Sequence, residues 1–366
     1  MGIRIVLIHL GSYPPVHFWH NLEYLIRNHP NIGIDLILNC KVQRELLEKT
    51  QIRVFTYEST AEVDEVLDKQ NNDRKFRNGF WRFSTERLFA LAQHGIKHPE
   101  FSYLHIESDV LILPNFPFDR FQKMESLSWS RYDQRRDLAS LVYIPNRDEA
   151  QWFLKMMHDV LSEHSGMNDM LLLNKIASRF ANRVELLPTS PGPNSVILCE
   201  RYLLNEDQKL AISRNYTMFE GIFDSAAVGI WLTGTDPRNY FGVRRKFSTE
   251  ELLRTPTYID PSQAQYRYSE GEGLFQIQGD LELQVFNLHI HSKDLALFGS
   301  TWESELEDAI IQSRENKVIS DFSMKIFSEL VLENWRKGTL ISFIFWIPGI
   351  RQVRKLRFIK KLRFLR

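Results

Sequence analysis

The chain has 366 residues, 43% of them hydrophobic and 25% charged, enough to bury a sizeable core as one large α/β domain or two smaller ones, which excludes a disordered chain. Its 46 basic and 46 acidic side chains cancel, and its two cysteines, Cys40 and Cys199, stand far apart without metal-ligand spacing; this excludes a disulfide framework and suits a reducing compartment. The cancellation is uneven: residues 335–366 carry 10 Lys and Arg and no acid, leaving 36 basic against 46 acidic side chains in residues 1–334.

In chain order, "IRIVLIHL" is a continuous β-branched run and predicts a first core strand. The opening "MGIRIVLIHLGSYPP" lacks the long apolar region and small-residue cleavage site of a secretory leader. "FWHNLEYLIRNHP" places Trp19, Leu22, Leu25 and Ile26 at helical spacing, and "NIGIDLILNC" is a second strand. Strand, helix, strand in that order predicts a parallel sheet. "IRVFTY" follows as a third strand, "GFWRFSTERLFALAQHG" as a helix closed by Gly95, and "FSYLHIESDVLILP" as one long strand. "SLVYIPN" predicts another short strand and "DEAQWFLKMMHDVLSEHSG" an amphipathic helix with Gly166 past its end. From about 188 to 285 the pattern loosens into turn signals, as expected of long loops that serve a site. "FQIQGDLELQVFNLHIHSK" then alternates like a hairpin turning at Gly279-Asp280, and residues 301–337 carry neither Pro nor Gly and predict helix.

In the long predicted strand, Glu107 and Asp109 are two residues apart. Alternate side chains share a face, so the two carboxylates converge, and a buried acid needs a cation to meet it. Two such oxygens suit a hard divalent ion, Mg²⁺ or Mn²⁺; the alternative is a pair of loop-facing acids, one capping nearby backbone. His289 and His291 repeat the i, i+2 spacing late in the chain, with Lys293 two residues further on. "MNDMLLLNKI" sets Asn168 and Asp169 at a helix start, where capping is the ordinary reading. "FDSAAVGIWLTGTDPRN" brackets a run of small and apolar residues with Asp224 and Asp236, the latter also an ordinary turn starter before Pro237. No Gly-x-Ser-x-Gly, Walker A or His-Glu-x-x-His motif occurs.

"YLHIESDVLILPN" resembles the metal-binding segment of glycosyltransferases with the type A fold, in which an apolar strand ends in Asp-x-Asp or a Glu variant. The likeness runs over roughly residues 1–295 in the order of its parts. It implies an α/β fold with a mixed, mostly parallel central sheet flanked by helices, over a catalytic domain at 1–300; the residues beyond it, 301–366, read as a helical extension with a basic tail. It further implies a Mn²⁺ or Mg²⁺ cofactor held by Glu107 and Asp109, with His291, or its rival His289, as third ligand. Lys293 would then lie on the donor diphosphate, and His9, Gly11 and Tyr13, at the end of the first strand, on the nucleotide. Arg82 or Arg87 would face the donor, although an i, i+4 pair with Glu86 also accounts for Arg82. Asp169 would serve the sugar or the acceptor hydroxyl, and Asp224 or Asp236 would be the base if the reaction inverts; the late His and Lys imply retention instead. The reaction implied is sugar transfer from a nucleotide-sugar donor to a saccharide or glycolipid in surface polysaccharide or lipopolysaccharide assembly. The rivals are a nucleotidyltransferase acting on sugar phosphates, which calls for a Gly-rich basic segment where "HLGSYPP" stands, and a silent membrane-associated scaffold.

At the end of the chain, "TLISFIFWIPGI" has no charge but is too short to span a bilayer, and eight cations among Leu, Ile and Phe follow it. Residues 339–366 are therefore expected to dock on an anionic membrane surface, placing the protein in the cytoplasm on the inner membrane face. A packed C-terminal helix is the alternative. Nucleic acid is not expected as a partner, because the acidic body offers no extended positive surface.

Overall fold

A computed structural model of the chain describes residues 2–11, 14–39, 51–70, 79–200, 203–236, 257–269, 272–293 and 295. Tyr13, the predicted helix at 301–337 and the basic tail at 339–366 lie outside these residues.

The first half is a wound α/β unit. Strand β1 (Gly2–His9) leads through α1 (Val16–Asn28) to β2 (Gly33–Leu38), and β3 (Ile52–Thr56) leads through α2 (Ala61–Asp68) and α3 (Phe80–Lys97) to β4 (Phe101–Ile106). The chain continues through β5 (Val110–Ile112), α4 (Phe118–Phe121), β6 (Leu127–Arg131), β7 (Asp137–Ile144), α5 (Arg147–Glu163), α6 (Asp169–Arg179) and β8 (Val184–Leu186). Seven strands form one sheet in the order β3-β2-β1-β4-β7-β6-β8. The pairs among β3, β2, β1 and β4 are parallel, as is β6 with β8, while β7 runs antiparallel to both β4 and β6. The expected mixed, mostly parallel sheet is thus present.

Strand β1 shows why the faces separate. Ile3, Ile5 and Leu7 enter one core with Phe18, Leu22 and Leu25 of α1, while Val6 and Ile8 enter the other with Leu88, Phe89, Phe153 and Val160 of α3 and α5. Alternation at period 2 sends each set to its own helical layer. Because β2 and β3 lie on one side of β1 and β4 on the other, strand order reverses between β1 and β4. The crevice beyond their carboxyl ends is where open α/β sheets place ligands.

The second half is added at that end: α7 (Glu206–Ala211), α8 (Tyr216–Phe219), β9 (Gly221–Ile222), α9 (Ala227–Thr233), β10 (Gln265–Ser269), β11 (Gly273–Gln278), β12 (Leu281–Val285) and β13 (Asn287–His289). Strands β10, β11, β12 and β9 form a small sheet, with the β11–β12 hairpin turning at Gly279, φ 59°, as its sequence predicts. Strand β13 pairs antiparallel with β5. Among the described residues, no helix is long and apolar enough to cross a membrane.

Contrary to the sequence pattern, residues 101–114 are not one strand. The ladder of β4 ends at Ile106, residues 107–109 make a turn closed by the Val110 amide on the Glu107 carbonyl (3.0 Å), and β5 belongs to a different sheet. Two carboxylates cannot be buried in mid-ladder without partners, so the chain leaves the main sheet where they occur.

A candidate metal centre at the switch point

The turn carrying Glu107 and Asp109 is held by α1. Asn21 lies on the buried face of that helix and donates to the carbonyls of Glu107 (3.4 Å), Ser108 (3.2 Å) and Val110 (3.0 Å). On the other side, the Ile290 amide donates to the Asp109 carbonyl at 2.7 Å, extending the β13–β5 ladder past His289. The acids therefore converge through a fixed turn and a neighbouring strand, not through alternation along one strand.

They converge on His289. Its Nε2 lies 3.0 Å from Asp109 Oδ2 and 3.9 Å from Glu107 Oε2, and one ligand atom from each of these three residues falls within 4.8 Å of the other two. Two carboxylates and one imidazole nitrogen are a mixed oxygen and nitrogen donor set, which fits Mn²⁺ better than Mg²⁺. Among the described residues the buried Nδ1 of His289 has no hydrogen-bond partner, so no hydrogen bond there orients the ring from behind. His291, expected as the ligand, is placed differently: its Nδ1 accepts the Asp236 amide at 3.2 Å.

Cations flank the acids. Arg87 Nη2 lies 2.5 Å from Glu107 and 3.5 Å from Asp169, and the Lys293 ammonium bonds Asp109. Lys293 adopts φ 62°, a left-handed backbone uncommon for a residue with a side chain. Burial pushes the Glu107 carboxyl up, but Arg87, His289 and Lys293 together outweigh it and hold it at about 2. Asp169 goes the other way: burial raises it to about 6, against the pull of Arg87 and with further push from Glu107. Asn168 caps α6 through the Leu171 amide at 3.0 Å, as its position predicts, while Asp169 turns inward to Arg87 and to Ser84 Oγ (3.4 Å).

The pH consequences of these two acids are opposite. Glu107 stabilises the fold above its unfolded value near 4.5 and loses that contribution as pH falls toward 2. Asp169 binds its proton more tightly when folded, so its contribution is present below about pH 4 and is lost as pH rises through about 6. Asp169→Asn is expected to remove that decline, making the variant gain on the wild type between pH 4 and 6.5 in urea midpoint. Parallel curves for the two proteins would show that Asp169 is not desolvated in this way.

The remaining expected site residues divide. His9 ends β1 with its ring edge-on to Phe18 at 5.9 Å. Gly11 has φ 110°, donates to Asn39 Oδ1 at 2.9 Å, and would bring a Cβ to 3.1 Å from Phe83, so a side chain there is disfavoured. Arg82 faces away from the cluster, paired with Asp64, Asp68 and, at 3.5 Å, Glu86. Asp224 is buried with its carboxylate taken up by backbone amides, and Asp236 is buried beside His291.

Two residues that matter here do not stand out in sequence. Asn21 is a polar residue inside the apolar stripe of α1, between Phe18 and Leu22, and that misplacement is its only signal. Gly229 sits within a short apolar helix, where a side chain would place Cβ 2.1 Å from the His289 carbonyl oxygen.

No family model and no curated protein matches the chain. Among solved structures it is similar to the galactosyltransferase LgtC in complex with donor and acceptor sugar analogs, at 13% identity over 50% of this chain and 73% of that one, TM-score 0.38. It is similar also to the apo form of the glycosyltransferase GlyE from Streptococcus pneumoniae, at 12% identity over 50% and 44%, TM-score 0.34. A third is the apo form of mouse xyloside xylosyltransferase 1, at 11% identity over 58% and 94%, TM-score 0.34. At these identities the likeness assigns neither activity nor substrate.

Proposed function

We propose that the chain is a metal-dependent glycosyltransferase that moves a sugar from a nucleotide-sugar donor to a saccharide or glycolipid. The observation that carries this reading is the convergence of Glu107, Asp109 and His289 within 4.8 Å, flanked by Lys293 and Arg87, at the reversal of strand order between β1 and β4. Glu107, Asp109 and His289 would hold the ion, Mn²⁺ in preference to Mg²⁺; when bound it supplies positive charge for the diphosphate that departs from the sugar.

Everything else falls to the chain. Arg87 keeps Glu107 ionised and aimed. The Lys293 ammonium balances Asp109 and is the cation offered to donor phosphate oxygens, as a mobile point charge suited to that task. Asp169, poised near 6 beside Arg87, can hold or release a proton at its carboxyl in the working pH range. Asp224 accepts three backbone amides, which leaves its oxygens poorly placed to act as an inverting base and supports retention. The nucleotidyltransferase alternative is disfavoured, since "HLGSYPP" has one glycine and no Lys or Arg. The role of residues 339–366 on an anionic membrane face, and a place in surface polysaccharide or lipopolysaccharide assembly, belong to the same proposal.

Thermal denaturation against a panel of nucleotide sugars, with and without Mn²⁺, tests it, because a ligand that binds only the folded chain raises its midpoint by mass action. Stabilisation by at least one donor only when Mn²⁺ is present is the expected result; stabilisation by none would refute the donor. Lys293→Met gives a second check with two readouts of opposite sign. It frees Asp109, so Mn²⁺ alone should bind more tightly, while donor turnover falls by about 10²-fold or more. A loss of both would make Lys293 a structural partner of Asp109 and nothing more.

A further inference from the structure

We propose that Asp224 is a positioning residue for His289, acting through α9 as a brace behind the metal-ligand strand; this rests on the metal-site reading above. Strand β13 has three residues and pairs with a three-residue partner, β5. A two-stranded ladder of that length does not hold its own geometry in water. Nor is the His289 ring hydrogen-bonded from behind, because among the described residues Nδ1 has no partner where metal-binding histidines ordinarily donate to a carboxylate or carbonyl. Asp109 meets the ring only at Nε2, the ligand atom, so behind that atom the backbone sets its place.

That backbone is clamped. Asp224 Oδ2 accepts from the amides of His289 (3.0 Å) and Gly229 (2.9 Å), and Oδ1 accepts from the Val228 amide (3.0 Å). The Asp224 amide donates to Asn287 Oδ1 at 3.1 Å, and Asn287 Nδ2 reaches back to the Asp224 carbonyl at 3.5 Å. One carboxylate thus joins the start of α9 to the ligand strand. An asparagine keeps only one acceptor oxygen and turns its NH₂, a donor, toward the remaining amide or amides, so the set of three bonds cannot be kept. Gly229 closes the joint, since any Cβ there would meet the His289 carbonyl at 2.1 Å and Asp224 Oδ2 at 2.7 Å. Beyond the end of α9, after Gly234 turns the chain at φ 84°, the Asp236 amide bonds His291 Nδ1 at 3.2 Å. The segment from 224 to 236 therefore grips residues 289 and 291 at two points, and the second grip gives His291 a place without ligating metal.

The test is Mn²⁺ binding by electron paramagnetic resonance on the full chain, beside its thermal midpoint, for the wild type, Asp224→Asn and Gly229→Ala. Val160→Ala, a truncation in the buried core between α3 and α5, is the control for stability loss alone. Weakening of Mn²⁺ affinity by about 10- to 100-fold in Asp224→Asn, with Val160→Ala within twofold of wild type, is the expected result. Gly229→Ala keeps the Asp224 carboxylate chemically but drives a Cβ against it and against the His289 carbonyl, and should weaken binding likewise. Unchanged affinity in either folded variant overturns the proposal, and so does failure of both to fold while the wild type binds Mn²⁺, since Asp224 would then be a fold element. A wild type that binds no Mn²⁺ overturns the site reading as well, which separates the two failures.

Discussion

Replacing Asp109 by Ala is expected to reduce metal-dependent donor turnover by about 10³-fold or more while leaving the protein folded. The size of the effect follows from position. Asp109 is the residue that Lys293 and His289 both contact, and its Oδ2 lies 3.0 Å from the imidazole nitrogen that would complete the ligand set. Its fold contribution is small by comparison, because the bond to Ile290 comes from its backbone carbonyl and survives the substitution. Lys293, 21% exposed at its side chain, can turn to water when its partner is removed. Circular dichroism and turnover with saturating Mn²⁺ check the two halves separately. A folded variant with near-normal turnover would remove Asp109 from the chemistry.

Arg87→Ala is the prediction with the largest effect on stability. The guanidinium stands between Glu107 and Asp169, whose side chains are 17% and 7% exposed. Removing one partner of such a group leaves charge uncompensated away from water, at a cost of about 3–5 kcal/mol. Protonation of Asp169, already near 6, relieves part of this at neutral pH. The distinguishing result lies in the metal. If the cluster holds Mn²⁺, the ion restores positive charge that Arg87 supplied, so Mn²⁺ should raise the melting temperature of Arg87→Ala more than that of the wild type. An Arg87→Ala protein as stable as wild type in chelator would mean that the acids are solvated, and an equal Mn²⁺ shift in both would mean that the ion binds elsewhere.

How far these residues could be read from sequence depended on what kind of contact held each one. Strands β1, β2 and β3 follow from β-branched and apolar runs whose two faces feed both cores, and helices α1, α3 and α5 from apolar residues that bury one face. Strand β6, "LSWSR", escapes that reading because Ser128 and Ser130 occupy buried positions normally held by apolar side chains. Strand β7 begins three residues earlier than "SLVYIPN" predicts, since Asp137 can be buried only with Trp129, Arg131 and Asn174 bonding it, and these come from elsewhere in the chain.

The site divides in the same way. Glu107 and Asp109 are legible as acids in an apolar stretch, yet the reason they converge is not, because the turn depends on Asn21, 86 residues from Glu107. His289 and His291 are equivalent by spacing. Only their partners separate them: Asp109 for the one and the Asp236 amide for the other. Arg82 and Arg87 lie on the same helix, and the acids of α2 draw off the first while Glu107 takes the second.

Release of nucleoside diphosphate from a panel of nucleotide sugars by the purified chain, measured with Mn²⁺ and again after chelation, tests the metal-dependent donor chemistry directly. Slow hydrolysis of at least one donor is expected that requires Mn²⁺, disappears with chelator, and is lost in Asp109→Ala and His289→Ala while His291→Ala retains it. Release that proceeds equally with chelator, or that depends on His291 and not on His289, would contradict the metal-site reading.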